Sequence, residues 1–210
     1  RDSSTSRGLG DVYKRQAPTI TPDEITEEML SKYQCIYIEG YLLVNEPLVR
    51  STMEKAKKLG LKVALDLSNF NIVNAFKGML EDIIPKYVDI LFSNESEAEA
   101  FTGQKAAEAV HTLSELVEVS LVTLGKEGAL IGSHGQFYSV PAEGGKPVDT
   151  TGAGDNFAAG FLYGQSIGAS LVQSARIGSM LAGYVIDVVG PEIPYDKWEQ
   201  IKLKVKGILA

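Results

Sequence analysis

Four short apolar runs, at residues 34–38, 61–67, 88–92 and 117–124, recur along the chain with helix-like stretches between them. Each run is continuous. A strand with one wet face alternates apolar and polar residues, whereas a continuous apolar run has both faces buried. Strands of that kind, spaced by helices, belong to a mostly parallel sheet covered by helices on both sides. The chain is therefore expected to fold as α/β. Intervening helices are expected at 22–31, 46–60, 70–84, 95–102 and 106–116. Pro22-Asp23-Glu24 and Glu46-Pro47 suit helix starts, Gly60 suits a stop, and Pro85 is expected to end the helix before it. Residues 129–131 and 136–140 read as a hairpin across Ser133-His134-Gly135, and three helices follow near 155–167, 170–187 and 195–208.

The 210 residues are 44% hydrophobic and 22% charged, which suits one soluble globular domain. No internal repeat, low-complexity tract or linker interrupts them. A net charge of −7 argues against nucleic acid as a partner. No apolar run reaches membrane-spanning length, so no membrane partner is expected and a cytoplasmic location fits. The single cysteine, Cys35, cannot form an internal disulfide and reads as a buried small hydrophobe. His111 and His134 have no carboxylate or cysteine at metal-ligand spacing and read as helix surface and turn.

In open α/β sheets ligands bind beyond the carboxyl ends of the strands. The residues that follow the apolar runs are therefore the candidates. Asp66 follows the second run, as an active-site rim or as a cap for the next segment. Asn94 and Glu97 follow the third. They are three apart, so they share a side of a helical turn, where they can hold Mg²⁺ through water or simply open a solvated acidic helix. Thr123-Leu124-Gly125-Lys126-Glu127-Gly128 follows the fourth, as a ligand-lining loop or a plain turn in which Lys126 is a surface residue. The strongest stretch is Asp149-Thr150-Thr151-Gly152-Ala153-Gly154-Asp155-Asn156-Phe157. A small-residue loop that opens a helix points free backbone N–H groups at one spot, and the helix dipole adds positive charge there. Such a spot favours an anion such as a phosphate. Asp155 beside it makes sense as a proton acceptor. The stretch is not a Walker A loop, and no Gly-x-Gly-x-x-Gly fingerprint precedes it.

Residues 149–160, DTTGAGDNFAAG, resemble the C-terminal signature of the ribokinase-like (PfkB) family of carbohydrate and nucleoside kinases. The run LDLSNF…YVDILFSNESEAEAF within residues 65–101 is most similar to adenosine kinases in that family. The resemblance implies a three-layer αβα fold. It implies that Gly152, Ala153 and Gly154 form an anion hole and that Asp155 is the catalytic base. It implies that Asn94 and Glu97, matching an Asn-x-x-Glu motif, order Mg²⁺ and the phosphates, and that Thr123, Gly125 and Gly128 line the ATP site. Gly183, in the small-residue stretch 176–183, would shelve the adenine, with close helix packing the plainer alternative; Arg176 is expected at the surface. Asp149, Thr151 and Gly190 would hold a monovalent cation, K⁺ being the ion considered.

The implied reaction moves the γ-phosphoryl of ATP to a primary alcohol of a sugar or nucleoside. A non-catalytic nucleotide-binding protein on the same fold is the alternative; an oxidoreductase is disfavoured by the missing dinucleotide fingerprint. A homodimer of the full-length protein stays open. Residues 1–16 are polar and aperiodic, and Asp11–Gln16 is what GAT GTG TAT AAG AGA CAG encodes, which resembles a transposase adapter. They are expected to be a non-native leader, with 17–210 the C-terminal portion of the kinase domain, lacking the N-terminal strands, the small lid and the substrate-reading Gly/Asn motifs of the family. Such a portion by itself is expected to be inactive or poorly soluble.

Overall fold

The computed structural model describes residues 19–144 and 147–210. The leader expected at residues 1–16 lies outside the described residues. Six strands form one sheet in the order β1 (Cys35–Glu39), β2 (Lys62–Asp66), β3 (Ile90–Asn94), β4 (Val119–Thr123), β5 (Ala129–Ser133) and β6 (Gln136–Val140). The pairings from β1 to β4 are parallel, and β5 and β6 add an antiparallel hairpin. Its turn is His134-Gly135, both at positive φ, which suits a two-residue hairpin.

Register decides what this sheet can do. Glu39 pairs with Asp66, Asp66 with Phe92, and Asn94 with Thr123. The carboxyl ends of four parallel strands are thus nearly flush, and the polar residues that close the apolar runs meet along one rim.

The two faces have separate cores. On one, Val63, Leu65, Leu91 and Val122 pack under helices α2 (Glu46–Lys58), α4 (Lys77–Tyr87), α5 (Glu95–Thr102) and α6 (Ala106–Ser114). On the other, Ala64, Phe92, Leu121 and Ile131 pack under α7 (Ala153–Ser166) and α8 (Leu171–Ile186). The last helix, α9 (Trp198–Leu209), lies against α8 through Ile177, Val185, Ile201 and Val205. The layered α/β arrangement expected from the continuous runs is therefore present. No helix among the described residues is long and apolar enough to cross a membrane.

Three local expectations need correction. Residues 22–31 are not one helix. A 3-10 turn at Pro22–Glu24 and α1 (Glu27–Leu30) are separated by extended Ile25, because Thr21 and Thr26 each cap their own turn. Residues 70–84 likewise split into α3 (Phe70–Ala75) and α4 at Phe76. Pro85 lies inside α4, which runs one turn further to Tyr87, with Val88 N–H still donating to Ile84 O. Proline removes one hydrogen bond there, and burial of Leu80, Ile83 and Ile84 offsets the loss. Cys35 is only half-buried, because β1 is an edge strand. His111 stacks on Phe137 at a helix surface, and Arg176 is exposed, both as expected.

Helix α7 is seated by backbone contact. A methyl at Gly160 would lie 2.7 Å from Gly178 Cα, and one at Gly164 would lie 2.6 Å from Ser174 Oγ. Phe161, fully buried, meets Phe92 edge-to-face at 5.6 Å. Gly160→Ala must therefore push α7 off α8. The expected cost is about 1–3 kcal/mol, the usual range for overpacking, read as a lowered midpoint in thermal unfolding; an unchanged midpoint would show that the helices do not need this contact.

Candidate active site

A cleft of about 310 Å³ sits over the strand rim, between Glu39, Asp66, Asn94, Glu97 and Thr123 on one side and Gly152–Asp155 on the other. The loop before α7 is shaped by Asp149. Its Oδ1 accepts from Thr151 N (3.0 Å) and Thr151 Oγ1 (2.7 Å), and its Oδ2 accepts from Gly190 N (3.0 Å). These bonds hold its carboxyl below the usual carboxylate range, the Gly190 amide contributing most. Gly152 follows at φ +77, where a side chain is strained, and a methyl there would lie 2.8 Å from Pro191 Cβ. Asn156 Nδ2 donates to Gly152 O (2.9 Å) and Pro191 O (3.3 Å) and so ties the loop to the chain after α8.

The amides at this helix start differ. Ala153 N–H donates to Thr150 O (3.2 Å), so it is not free as the anion-hole reading expects. Among the described residues the N–H groups of Gly152, Gly154 and Asp155 have no acceptor. Gly152 caps the helix, and Asp155 sits in its first turn at the cleft wall. Three free donors and a helix N-terminus make a place for an anion, with a carboxylate alongside.

The opposite wall is acidic. Glu97 is 4% exposed. It closes a reciprocal box with Asn94: Asn94 N donates to Oε2 (2.8 Å), Asn94 Nδ2 to Oε1 (2.7 Å), and Glu97 N to Asn94 Oδ1 (3.0 Å). Burial pushes the Glu97 carboxyl up to about 7, with a further push from the Asp66 charge. Asp66 Oδ1 accepts from Ser68 N (2.6 Å) and Oδ2 from Tyr37 Oη (3.2 Å). Burial nevertheless pushes Asp66 up to about 6, aided by the charges of Asp155 and Glu39. Glu39 is raised by burial and by Asp155, and the Tyr37 phenol by burial and Asp66. Ser68 is a non-glycine at φ +63, held there by its amide bond to Asp66 and by Gly40 N donating to its Oγ (2.7 Å).

A second pocket, of about 410 Å³, opens off the cleft and shares Thr123, Thr150, Ala153, Gly154 and Phe157 with it. Gly125, Lys126, Gly128, Ala182, Gly183 and Ile186 complete most of its wall. The structure thus brings Asn94, Glu97, Thr123, Gly152, Ala153, Gly154 and Asp155 to the cleft, and Thr123, Gly125, Gly128 and Gly183 to the adjoining pocket. Asp149, Thr151 and Gly190 meet beside the cleft without lining it. Gly190 meets Asp149 through its amide, whereas the cation reading needs its carbonyl. Asp66 joins the cleft. Glu39, Tyr41 and Ser68 were not singled out from sequence, although Glu39 and Ser68 obey the same strand-end rule that marked Asp66.

The residues fit a nucleotide: a largely apolar pocket with glycine walls for a flat base, then free amides for phosphate. They fit Mg²⁺ only in part. Among the described residues no three Asp, Glu, His or Cys side chains gather to hold a metal ion. Glu97, its oxygens already shared with Asn94, suits a water-mediated contact.

The family model described as pfkB family carbohydrate kinase matches residues 12–198. The chain belongs to that family. Its sequence is 31% identical over 194 residues to the adenosine kinase of Saccharomyces cerevisiae, covering 84% of this chain and 57% of that protein. Among solved structures, adenosine kinase from Sinorhizobium meliloti superposes with a TM-score of 0.83 at 28% identity, over 89% of this chain and 59% of that one. A probable sugar kinase protein from Rhizobium etli CFN 42 gives 0.84 at 29% identity, over 91% and 59%. This pfkB-family chain thus spans a little over half the length of these relatives.

Its raised carboxyls have a consequence for stability. An acid whose folded value is raised stabilises the fold below its unfolded value and loses that contribution as pH climbs through the folded one. For Asp66 and Glu97 the window runs from the ordinary values of 3.8 and 4.5 up to about 6 and about 7. The melting temperature should therefore fall from pH 5 to pH 7.5, and Asp66→Asn should flatten the slope. A melting temperature that rises across this window would contradict the burial-raised carboxyls.

Proposed function

We propose that this chain carries the nucleotide-binding and catalytic part of an ATP-dependent kinase, one that moves the γ-phosphoryl group of ATP to a primary alcohol of a sugar or nucleoside. One observation carries the reading: Asp155 stands in the first turn of α7, beside the free amides of Gly152 and Gly154, at the carboxyl ends of the parallel strands. A base, an anion site and a nucleotide-sized pocket meet there.

In this reading the 410 Å³ pocket takes the base and ribose between the Gly125–Gly128 turn and α8. The phosphates run to the start of α7. Asp155 accepts the proton of the acceptor hydroxyl as its oxygen forms a bond to the γ-phosphorus, and the bond from that phosphorus to the ADP oxygen breaks. The free amides and the helix dipole meet charge on the transferring group. Asn94 and Glu97 would hold Mg²⁺ through water, and the ion would supply positive charge to neutralise the phosphates. Asp149 positions the loop, and its Thr151 contact is also where a monovalent cation such as K⁺ would act. The acceptor lies towards Glu39, Asp66 and Ser68, whose oxygens suit a hydroxyl-rich molecule. The yeast and Sinorhizobium relatives named adenosine kinase favour adenosine as that acceptor.

The test is ADP release by the protein expressed from its source gene, read upstream of Ala17, with adenosine beside a panel of sugars. Adenosine-dependent release is expected. Asp155→Asn should lower turnover by about 10²–10⁴-fold, the usual worth of a positioned base, and leave ATP affinity nearly intact. Full turnover in that variant would remove the base assignment. ATP binding with no release for any acceptor would instead favour a non-catalytic nucleotide-binding protein.

A further inference from the structure

Two independent features converge on the Asp66 carboxylate, and only one of them lies in the cleft. The first is strain. Leu67 O accepts from Asn69 N (2.7 Å), so Ser68, at φ +63, is the centre of a three-residue turn. Turns of this hand are rare and strained. Such strain persists only where surrounding contacts impose it, and it gathers at sites of function. Here Ser68 N donates to Asp66 Oδ1 (2.6 Å), and Gly40 N donates to Ser68 Oγ (2.7 Å). Gly40 has no room for a side chain, because a methyl there would lie 2.7 Å from Leu67 O.

The second is Tyr37, which does not line the cleft. Strand β1 pairs Tyr37 with Ala64 and Glu39 with Asp66. Residues two apart on a strand share a face, so Tyr37 lies one step below Glu39 and diagonal to Asp66. Its Oη donates to Asp66 Oδ2 (3.2 Å), and its ring meets Phe92 edge-to-face at 6.1 Å. Phe92 is the register partner of Asp66 and meets Phe161 of α7 in turn. Burial and the Asp66 charge push the phenol well above its usual range, so it stays a donor. Each Asp66 oxygen therefore has one protein donor, one from its own strand end and one from the neighbouring strand. Two donors at two oxygens fix the plane of the carboxylate, and each oxygen keeps a lone pair for a ligand hydroxyl.

We propose that Tyr37 is a positioning residue for the acceptor: acting through Asp66, it holds that carboxylate in the plane that receives an acceptor hydroxyl. The inference rests on the reading that places the acceptor towards Asp66. A phenol that only filled the core would act on the fold as a whole. One that acts through Asp66 affects acceptor binding and loses its effect once the carboxylate is gone.

Adenosine and ribose are the probes, each titrated by calorimetry into the protein expressed from its source gene, with a non-hydrolysable ATP analogue and Mg²⁺ titrated separately. Tyr37→Phe keeps the ring on Phe92 and removes only the hydroxyl. It should weaken the probe that binds by about tenfold or more, the worth of one charge-assisted hydrogen bond, and leave affinity for the analogue as in the wild type. In turnover, the acceptor KM should rise by more than kcat falls. Added to Asp66→Asn, Tyr37→Phe should change probe affinity little, the non-additivity of two groups that act as one. Wild-type probe affinity in Tyr37→Phe, equal losses for probe and analogue, a full further loss on top of Asp66→Asn, or no saturable binding of either probe would each overturn the proposal. Probe binding without ADP release would count against the kinase reading alone, since the titrations still test Tyr37.

Discussion

Three free amides at the start of α7 face three carboxylates, Glu39, Asp66 and Glu97, across a single cleft, with a fourth, Asp155, on their own side. Neither set is at ease alone. The donors and the helix end want an anion, and the carboxylates repel one. Burial raises Asp66 and Glu97, and among the described residues no cation offsets it. The arrangement is consistent with a ligand that carries both signs, a polyphosphate together with a metal ion. Such a ligand satisfies the amides with oxygen and the acids with charge.

That opposition can persist only if α7 cannot recede. Gly160 and Gly164 let it press on α8, and Phe161 locks on Phe92 from above the sheet. Asp149 fixes the loop in front of the helix with three hydrogen bonds, one of them across to Gly190. Asn156 adds two more, to Gly152 and Pro191. The strands meet the helix with their own ends aligned by register. The anion site is therefore a product of packing far from it as much as of the loop itself.

Much of this was legible in the chain. Continuous apolar runs gave the buried strands, and the strand-end rule pointed to Asp66, Asn94 and Thr123, all of which reach the cleft. The Gly-Ala-Gly-Asp run marked the helix start. What sequence could not supply was geometry on the scale of one hydrogen bond. It did not reveal that Ala153 spends its amide on Thr150, or that Asn94 and Glu97 bond each other. Pro85 misled because a helix boundary was read from one residue while three buried neighbours, Leu80, Ile83 and Ile84, carried the helix past it. Glu39 was overlooked because β1 was read only as a strand, and Ser68 because the end of β2 was followed only as far as Asp66.

Gly183 shows how a residue marked for one reason can be required for another. The small-residue stretch of α8 suggested a shelf for a flat base, and Gly183 lines the 410 Å³ pocket that opens off the cleft. Yet the contact that forbids a side chain there is with Glu143 and Gly144, whose backbone crosses the helix at this point. The same crossing divides that pocket from a second space beside α9, lined by Met180, Tyr184 and Lys204. A larger residue at 183 would therefore displace the 143–144 segment before it met any base. Absence of a side chain at this glycine sets the thickness of a wall, and the wall in turn sets the shape of both spaces.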